Sequence, residues 1–110
     1  MRYFNPKDVR SPRDFVEDVI VMHDGGSGEI LSQNGFSLAK ILWEGDYCYG
    51  IRWNVARREW DDPDKVSGLK ICVGVPSSHG YPVWFILPEI IVKSILANPD
   101  ILNDLTDIGV

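Results

Sequence analysis

The alternation of apolar and polar residues is clearest over residues 36–54, and it predicts a β-hairpin. The segment reads FSLAKILWEGDYCYGIRWN, with arms rich in aromatic and branched residues on either side of Glu44-Gly45-Asp46. Such arms around a short, polar, glycine-containing turn are the strongest local indication of a hairpin. We therefore expect the rest of the chain to be organised around this hairpin.

The length of the turn decides which hairpin residues share a face. The second arm alternates between an apolar face and a mixed face: Tyr47, Tyr49, Ile51 and Trp53 against Cys48, Gly50, Arg52 and Asn54. A two-residue turn places Phe36 beside the apolar face, whereas a three-residue turn places Ile41 and Trp43 there, because a shift of one residue reverses every side chain. We favour the two-residue turn, since such loops are the commonest. The mixed face then needs a cover, which a helix, a subunit or a partner would supply.

The segment before the hairpin supports two interpretations. Ser11-Pro12 is typical of a helix start, and Val19-Ile20-Val21 is a β-branched run that prefers a strand. We expect a helical turn over residues 12–16 and a strand over 18–24. The alternative is one helix through residues 12–22.

The segments after the hairpin predict strands and then helices. We expect a charged loop over 56–67 anchored by Trp60, strands over 68–76 and 81–87, a turn between them, and helices beginning at Pro88 and Asn98. Trp84 lies off the main face of its strand, and the C-terminal helices are its expected cover.

These elements predict an α+β fold in a single domain over residues 1–110. Four or five mostly antiparallel strands would form a curved sheet or a small open barrel of the SH3-like or OB-like type, packed by two short C-terminal helices.

Charge and cysteine content narrow the function classes. The net charge is -5, which disfavours nucleic-acid binding and suits a basic protein partner. Two cysteines cannot form a disulfide framework, and the N-terminus lacks the apolar core of an export signal. We expect a cytoplasmic protein with no membrane-spanning segment and no disulfide.

Several patterns resemble sites without meeting their requirements. Gly25-Gly26-Ser27-Gly28 lacks the lysine of a phosphate loop. Asp61, Asp62 and Asp64 lack the glycine and distant glutamate of a calcium loop, and the cysteines and histidines lack zinc spacing. We therefore expect no cofactor and no metal. Cys72 with His79 leaves a small cysteine-dependent enzyme as a second alternative function.

The strongest candidate site combines arginine with tryptophan, the composition of interaction hot spots. Its residues are Arg52, Asn54, Arg57, Arg58 and Trp60. We predict a small non-catalytic binding module, an adaptor, inhibitor or regulator, that recognises a protein partner through this surface. The first alternative is a binder of a small anionic ligand or nucleotide. Strands that are apolar on both faces also leave homodimerisation open.

Overall fold

The computed structural model describes residues 1–11, 16–28 and 35–98. Its strands are β1 (Arg2–Tyr3), β2 (Val16–Asp24), β3 (Phe36–Trp43), β4 (Asp46–Trp53), β5 (Ile71–Cys72), β6 (Ser77–Ser78), β7 (Tyr81–Pro82) and β8 (Phe85–Ile86). Its α-helices are α1 (Pro63–Val66) and α2 (Glu89–Ala97), and 3₁₀ helices span Pro6–Asp8 and Arg57–Asp61.

One antiparallel sheet dominates the fold, with strands in the order β2-β3-β4-β8. Two smaller pairs accompany it, β1 with β5 in parallel and β6 with β7 antiparallel. The predicted α+β class with a mostly antiparallel sheet is confirmed. Among the described residues the sheet stays open, with β2 and β8 at its ends.

The hairpin of β3 and β4 has the predicted two-residue turn. Trp43 pairs with Asp46, and Phe36 pairs with Trp53 at the far end. The turn residues Glu44 and Gly45 have φ values of 50° and 86°. Positive φ at both positions matches the right-handed twist of the flanking strands, which explains why the chain closes in two residues.

The segment before the hairpin is a strand, so the alternative of a helix through residue 22 is wrong. Val19 faces Ile41 across the β2–β3 pair, and both side chains are buried. β-branched side chains pack well on such a half-buried sheet, which explains the preference for a strand. The helical turn predicted over 12–16 falls largely on residues 12–15, which lie outside the described residues.

The mixed face of the hairpin is the core face of the sheet. Trp84 is 1% exposed and packs in a cluster with Val9, Val16, Val19, Ala39 and Ile41. Its indole N–H donates to the Val9 carbonyl at 2.9 Å. Gly50 makes room for the indole, since a Cβ at this position would lie 3.0 Å from the Trp84 Cβ. The N-terminal segment around Val9 supplies this cover, whereas α2, the one expected C-terminal helix within the described residues, packs on the other face of the sheet.

The apolar face of the hairpin is only partly covered. The helix α2 packs over its middle, where Val92, Ile95 and Leu96 meet Leu38, Tyr49 and Leu87 around a small void. The first predicted C-terminal helix is therefore confirmed. The second falls almost entirely on residues 99–110, outside the described residues. No helix in the described ranges has the length and apolarity needed to cross a membrane.

The strands predicted after the hairpin are shorter than expected. The predicted strand over 68–76 is wrong beyond β5, and Val75 forms only an isolated bridge with Trp53. The predicted strand over 81–87 is split into β7 and β8. The N–H groups of Val73 and Gly74 bond to the Glu59 carboxylate, so they are not available for a strand ladder. The segment 56–67, expected as a loop, holds a 3₁₀ helix and α1.

Candidate functional site

Arg52, the first residue of the predicted site, is buried inside the protein. It is 4% exposed, and its guanidinium donates to the carbonyl oxygens of Val83 at 2.8 Å and Pro76 at 3.2 Å. Further bonds reach the carbonyls of Val73 and Trp53. Burial lowers the pKa of Arg52 to about 10, and the charge of Glu59 partly opposes this shift. Arg52 therefore stays charged at neutral pH, and its hydrogen bonds hold the backbone of residues 73–76 and of Val83 against β4.

Glu59 is the buried acid that faces the same loop. Its carboxylate accepts hydrogen bonds from the N–H groups of Ala56, Val73 and Gly74, each at 2.8 Å, and from the Lys65 ammonium at 2.7 Å. Burial alone would raise the pKa of Glu59, but these hydrogen bonds outweigh it and hold the pKa below its usual value. The carboxylate is therefore ionised and fully bonded at neutral pH.

Gly74 lets the loop lie tightly against the end of β4. It has a φ of 76°, and a Cβ at this position would clash with the Trp53 carbonyl and lie 2.5 Å from an Arg52 nitrogen. The next residue, Val75, exchanges two backbone hydrogen bonds with Trp53, at 2.8 and 3.1 Å. Residues 73–76 are thus fixed against β4 by backbone and side chains together.

Asn54, the second residue of the predicted site, is also buried and bonded. Its amide accepts from the Ser37 hydroxyl at 2.6 Å and donates to the Gly26 carbonyl at 2.8 Å and to Asp24 at 3.2 Å. Asp24 also accepts the Gly26 N–H at 3.0 Å. The Asp24 carboxylate therefore accepts a backbone N–H of the glycine-rich loop, which is the kind of donor that a bound phosphate would need. Asn54 holds the same loop in place through its bond to the Gly26 carbonyl.

The remaining three residues of the predicted site stay accessible. Arg57 and Arg58 are exposed, and Trp60 is half-buried on the same 3₁₀ helix. Within the described residues neither arginine forms an ion pair or hydrogen bond. The acids Glu59 and Asp64 pair with lysines instead, Glu59 with Lys65 and Asp64 with Lys70. The structure thus divides the predicted site into a buried pair, Arg52 and Asn54, and an exposed group.

A groove that the sequence did not reveal lies at the open end of the apolar face. We call it the aromatic groove; it encloses about 530 Å³ and is lined by Phe36, Ile51, Arg52, Trp53, Val75, Pro76 and Phe85. Trp53 is 44% exposed and Phe85 56% exposed. Phe36 supports Trp53 from the side, with ring centroids 6.2 Å apart and planes at 81°.

Element lengths could have indicated this groove. A nine-residue helix spans about 13 Å, whereas an eight-residue strand spans about 27 Å. The helix α2 is nine residues long and β4 is eight. A helix of that length cannot cover the whole apolar face, so part of it must stay open unless another element packs there. Trp53 lies in the part that stays open.

The two cysteines lie in surroundings that favour the neutral thiol. Burial, reinforced by the charge of Glu59, raises the pKa of Cys72. Burial and Asp46 raise the pKa of Cys48 in the same way. A cysteine nucleophile needs a lowered thiol pKa, so this environment works against thiolate chemistry. Among the described residues, no three side chains of His, Cys, Asp or Glu cluster as a metal site would require.

Comparisons of this chain with protein-family models, with curated proteins and with solved structures find no match.

Proposed function

We propose that this protein is a small non-catalytic binding module, acting as an adaptor, inhibitor or regulator, that recognises a protein partner. The observation that carries the proposal is the exposure of Trp53, Phe85 and Val75 together in one groove. Exposed aromatic side chains that share a concave patch are the residues that dominate binding energy at protein interfaces. The predicted Arg/aromatic surface contributes its accessible members, Arg57, Arg58 and Trp60.

The charge of the chain favours a partner with a basic surface. At a net charge of -5 the protein attracts a positively charged protein and speeds its association. The groove itself is mostly apolar, so the partner would insert an apolar side chain there and surround it with basic residues.

The rigidity of the groove wall supports the same proposal. Val75 and Pro76 are held by Arg52 and by the backbone of Trp53 before any partner arrives. A preformed wall avoids the free-energy cost of ordering a loop on binding. The buried residues Arg52 and Asn54 would thus support the interface from within.

The experiment is affinity capture from native lysate with matched surface variants. Phe85→Ser removes a groove side chain, whereas Tyr47→Ser removes an equally exposed aromatic side chain outside the groove. We expect a basic protein to bind the parent and Tyr47→Ser but not Phe85→Ser. Raising the salt concentration should weaken capture, because charge attraction is screened. Equal capture by Phe85→Ser and the parent would refute the groove as the binding site.

The first alternative, a small anionic ligand or nucleotide, is supported by Arg57 and Arg58, which are exposed and have no ion pair in the part of the chain that the structure describes. Exposed guanidinium groups bind phosphate or carboxylate through two parallel hydrogen bonds. A thermal-shift panel of nucleotides and phosphorylated metabolites tests this alternative, since a ligand at 100 times its Kd adds ~2.7 kcal/mol. The second alternative, a cysteine-dependent enzyme, lacks support because Cys72 is buried.

Three further expectations from the sequence are part of this proposal. They are the SH3-like or OB-like topology, the cytoplasmic location and a homodimer formed through a sheet face. Sedimentation of the purified protein at several concentrations tests the homodimer, because self-association depends on concentration.

A further inference from the structure

A second groove lies between the N-terminal segment and the β6–β7 hairpin. We call it the hairpin groove; it encloses about 710 Å³, and its lining includes Phe4, Asp8, Arg10, His79 and Tyr81. This volume lies within the usual range of small-molecule sites, about 300–1,000 Å³. The hairpin groove shares no residue with the aromatic groove.

The polar side chains of the hairpin groove can bind one anionic group. Arg10 is held by a bond from one guanidinium nitrogen to the Glu17 carbonyl at 3.0 Å, and its other N–H groups form no bond within the described residues. A guanidinium carries five N–H donors in a planar fork that fits a carboxylate. His79 adds a ring N–H donor in either protonation state.

The apolar side chains of the same groove can hold a ring. Tyr81 is 68% exposed although it lies in a strand, and Phe4 lies half-buried in the same lining. Aromatic side chains favour another ring in an offset or edge-on arrangement. The groove therefore places a site for a ring next to donors for an anion.

The β6–β7 turn fixes the backbone of His79 at the groove. His79 and Gly80 are the two turn residues between Ser78 and Tyr81, with φ values of 51° and 80°. Asn-Gly is the preferred pair in such a turn, and histidine is one of the few other residues that are enriched at positive φ. The tight turn therefore holds His79 in place where it lines the groove.

We propose that the hairpin groove binds a small ring-bearing carboxylate. Arg10 and His79 would donate to the carboxylate, while Phe4 and Tyr81 would contact the ring. Asp8 also lines the groove, so its negative charge opposes polyanions such as nucleotides. One arginine can pair with one carboxylate, and the aspartate disfavours any further negative charge on the ligand.

The test uses phenylacetate, its neutral isostere phenylacetamide, acetate and adenosine monophosphate as probes. Binding is followed from the backbone amide resonances of isotope-labelled protein. The hairpin groove should bind phenylacetate with a Kd of about 1 mM, as expected for a ligand of this size. We expect phenylacetamide, acetate and the nucleotide to bind at least about tenfold more weakly. Phenylacetamide lacks the negative charge, acetate lacks the ring, and the nucleotide brings extra negative charge beside Asp8.

Three substitutions, two at Arg10 and one at His79, separate binding from folding. Arg10→Gln removes the charge and leaves a shorter polar side chain, and Arg10→Lys keeps the charge without the guanidinium fork. His79→Asn removes the imidazole but places the preferred residue in the turn, so the folded state should become more stable. We expect Arg10→Gln and His79→Asn to abolish the phenylacetate shifts and Arg10→Lys to retain part of them. The proposal is overturned by the absence of shifts with phenylacetate, by equal binding of phenylacetamide, or by unchanged shifts in both Arg10→Gln and His79→Asn.

Discussion

Arg52 and Glu59 hold the Val73–Gly74 peptide from opposite sides. The guanidinium of Arg52 donates to the Val73 carbonyl, and the carboxylate of Glu59 accepts both N–H groups of the same stretch at 2.8 Å. The guanidinium and the carboxylate do not form an ion pair with each other. Both instead bind the backbone of Val73 and Gly74, which lies between them. This arrangement fixes the wall of the aromatic groove, and both residues should therefore contribute to the stability of the fold.

Replacing Arg52 by methionine should destabilise the protein by about 3 kcal/mol, because several buried carbonyl groups lose their donors. Arg57→Met is the matched control, since Arg57 is exposed and has no bond within the described residues. Its effect should stay within about 0.5 kcal/mol. Urea unfolding of both variants measures the difference. Equal unfolding free energies would show that the carbonyl contacts of Arg52 do not stabilise the fold.

The stability of the protein should fall in acid because of Glu59. Burial would raise the pKa of Glu59, but the bonds from Lys65 and three backbone N–H groups lower it below the unfolded value of 4.5. A lowered pKa in the folded state contributes stability above pH 4.5 that is lost as the pH falls through the folded pKa.

Urea unfolding at a series of pH values tests this contribution. The parent should lose stability below about pH 4.5, and Glu59→Gln should be less stable at pH 7 but less sensitive to acid. Glu17→Gln, which changes an exposed carboxylate on β2, is the control and should follow the parent. A Glu59→Gln variant with the full acid sensitivity of the parent would contradict the assignment.

An asparagine in place of Glu44 should stabilise the turn of the central hairpin. Glu44 has a φ of 50°, a conformation that asparagine adopts more readily than glutamate. We expect Glu44→Asn to stabilise the protein by about 0.5–1 kcal/mol. Thermal unfolding measures the change in stability. Gly45→Ala should lower the stability, because alanine is strained at the φ of 86° that Gly45 adopts. A loss of stability in Glu44→Asn would mean that the Glu44 side chain has a role of its own.

The thiol of Cys72 should react slowly with a disulfide reagent. Burial and the charge of Glu59 both raise its pKa, so little thiolate is present at neutral pH. Labelling at pH 7 to 8 should proceed more slowly than for a simple thiol and should accelerate in urea. Rapid labelling of Cys72 in the folded protein would revive the cysteine-dependent enzyme as an alternative.

The hairpin could be predicted because its determinants are local. The glycine at position 45 and the alternation on both arms lie within twenty residues, and together they specify the turn and the register. The strand β2 was likewise identified from its β-branched run. Local propensity and tertiary structure agree over these segments, so the pattern alone was sufficient.

The role of the mixed face could not be predicted because its partners lie far away in the sequence. Arg52 and Asn54 look like surface residues by type, yet acceptors from residues 24–26, 73–76 and 83 satisfy them. Burying a charged or polar group is favourable only when such partners exist. Whether these acceptors are available depends on how distant segments of the chain fold. The alternation of apolar and polar residues in the hairpin does not indicate where those acceptors lie.

The parallel pairing of β1 with β5 has a consequence for synthesis. Arg2 and Tyr3 pair with Ile71 and Cys72, and the Arg2 guanidinium donates to the Gly68 carbonyl at 2.7 Å. A ribosome adds about 5–20 residues each second, so the first strand waits roughly 4 to 14 s for its partner. During that interval the N-terminal strand has no native neighbour on this side. The β1–β5 pair therefore cannot close until the segment around residue 71 has been made, long after β1 itself.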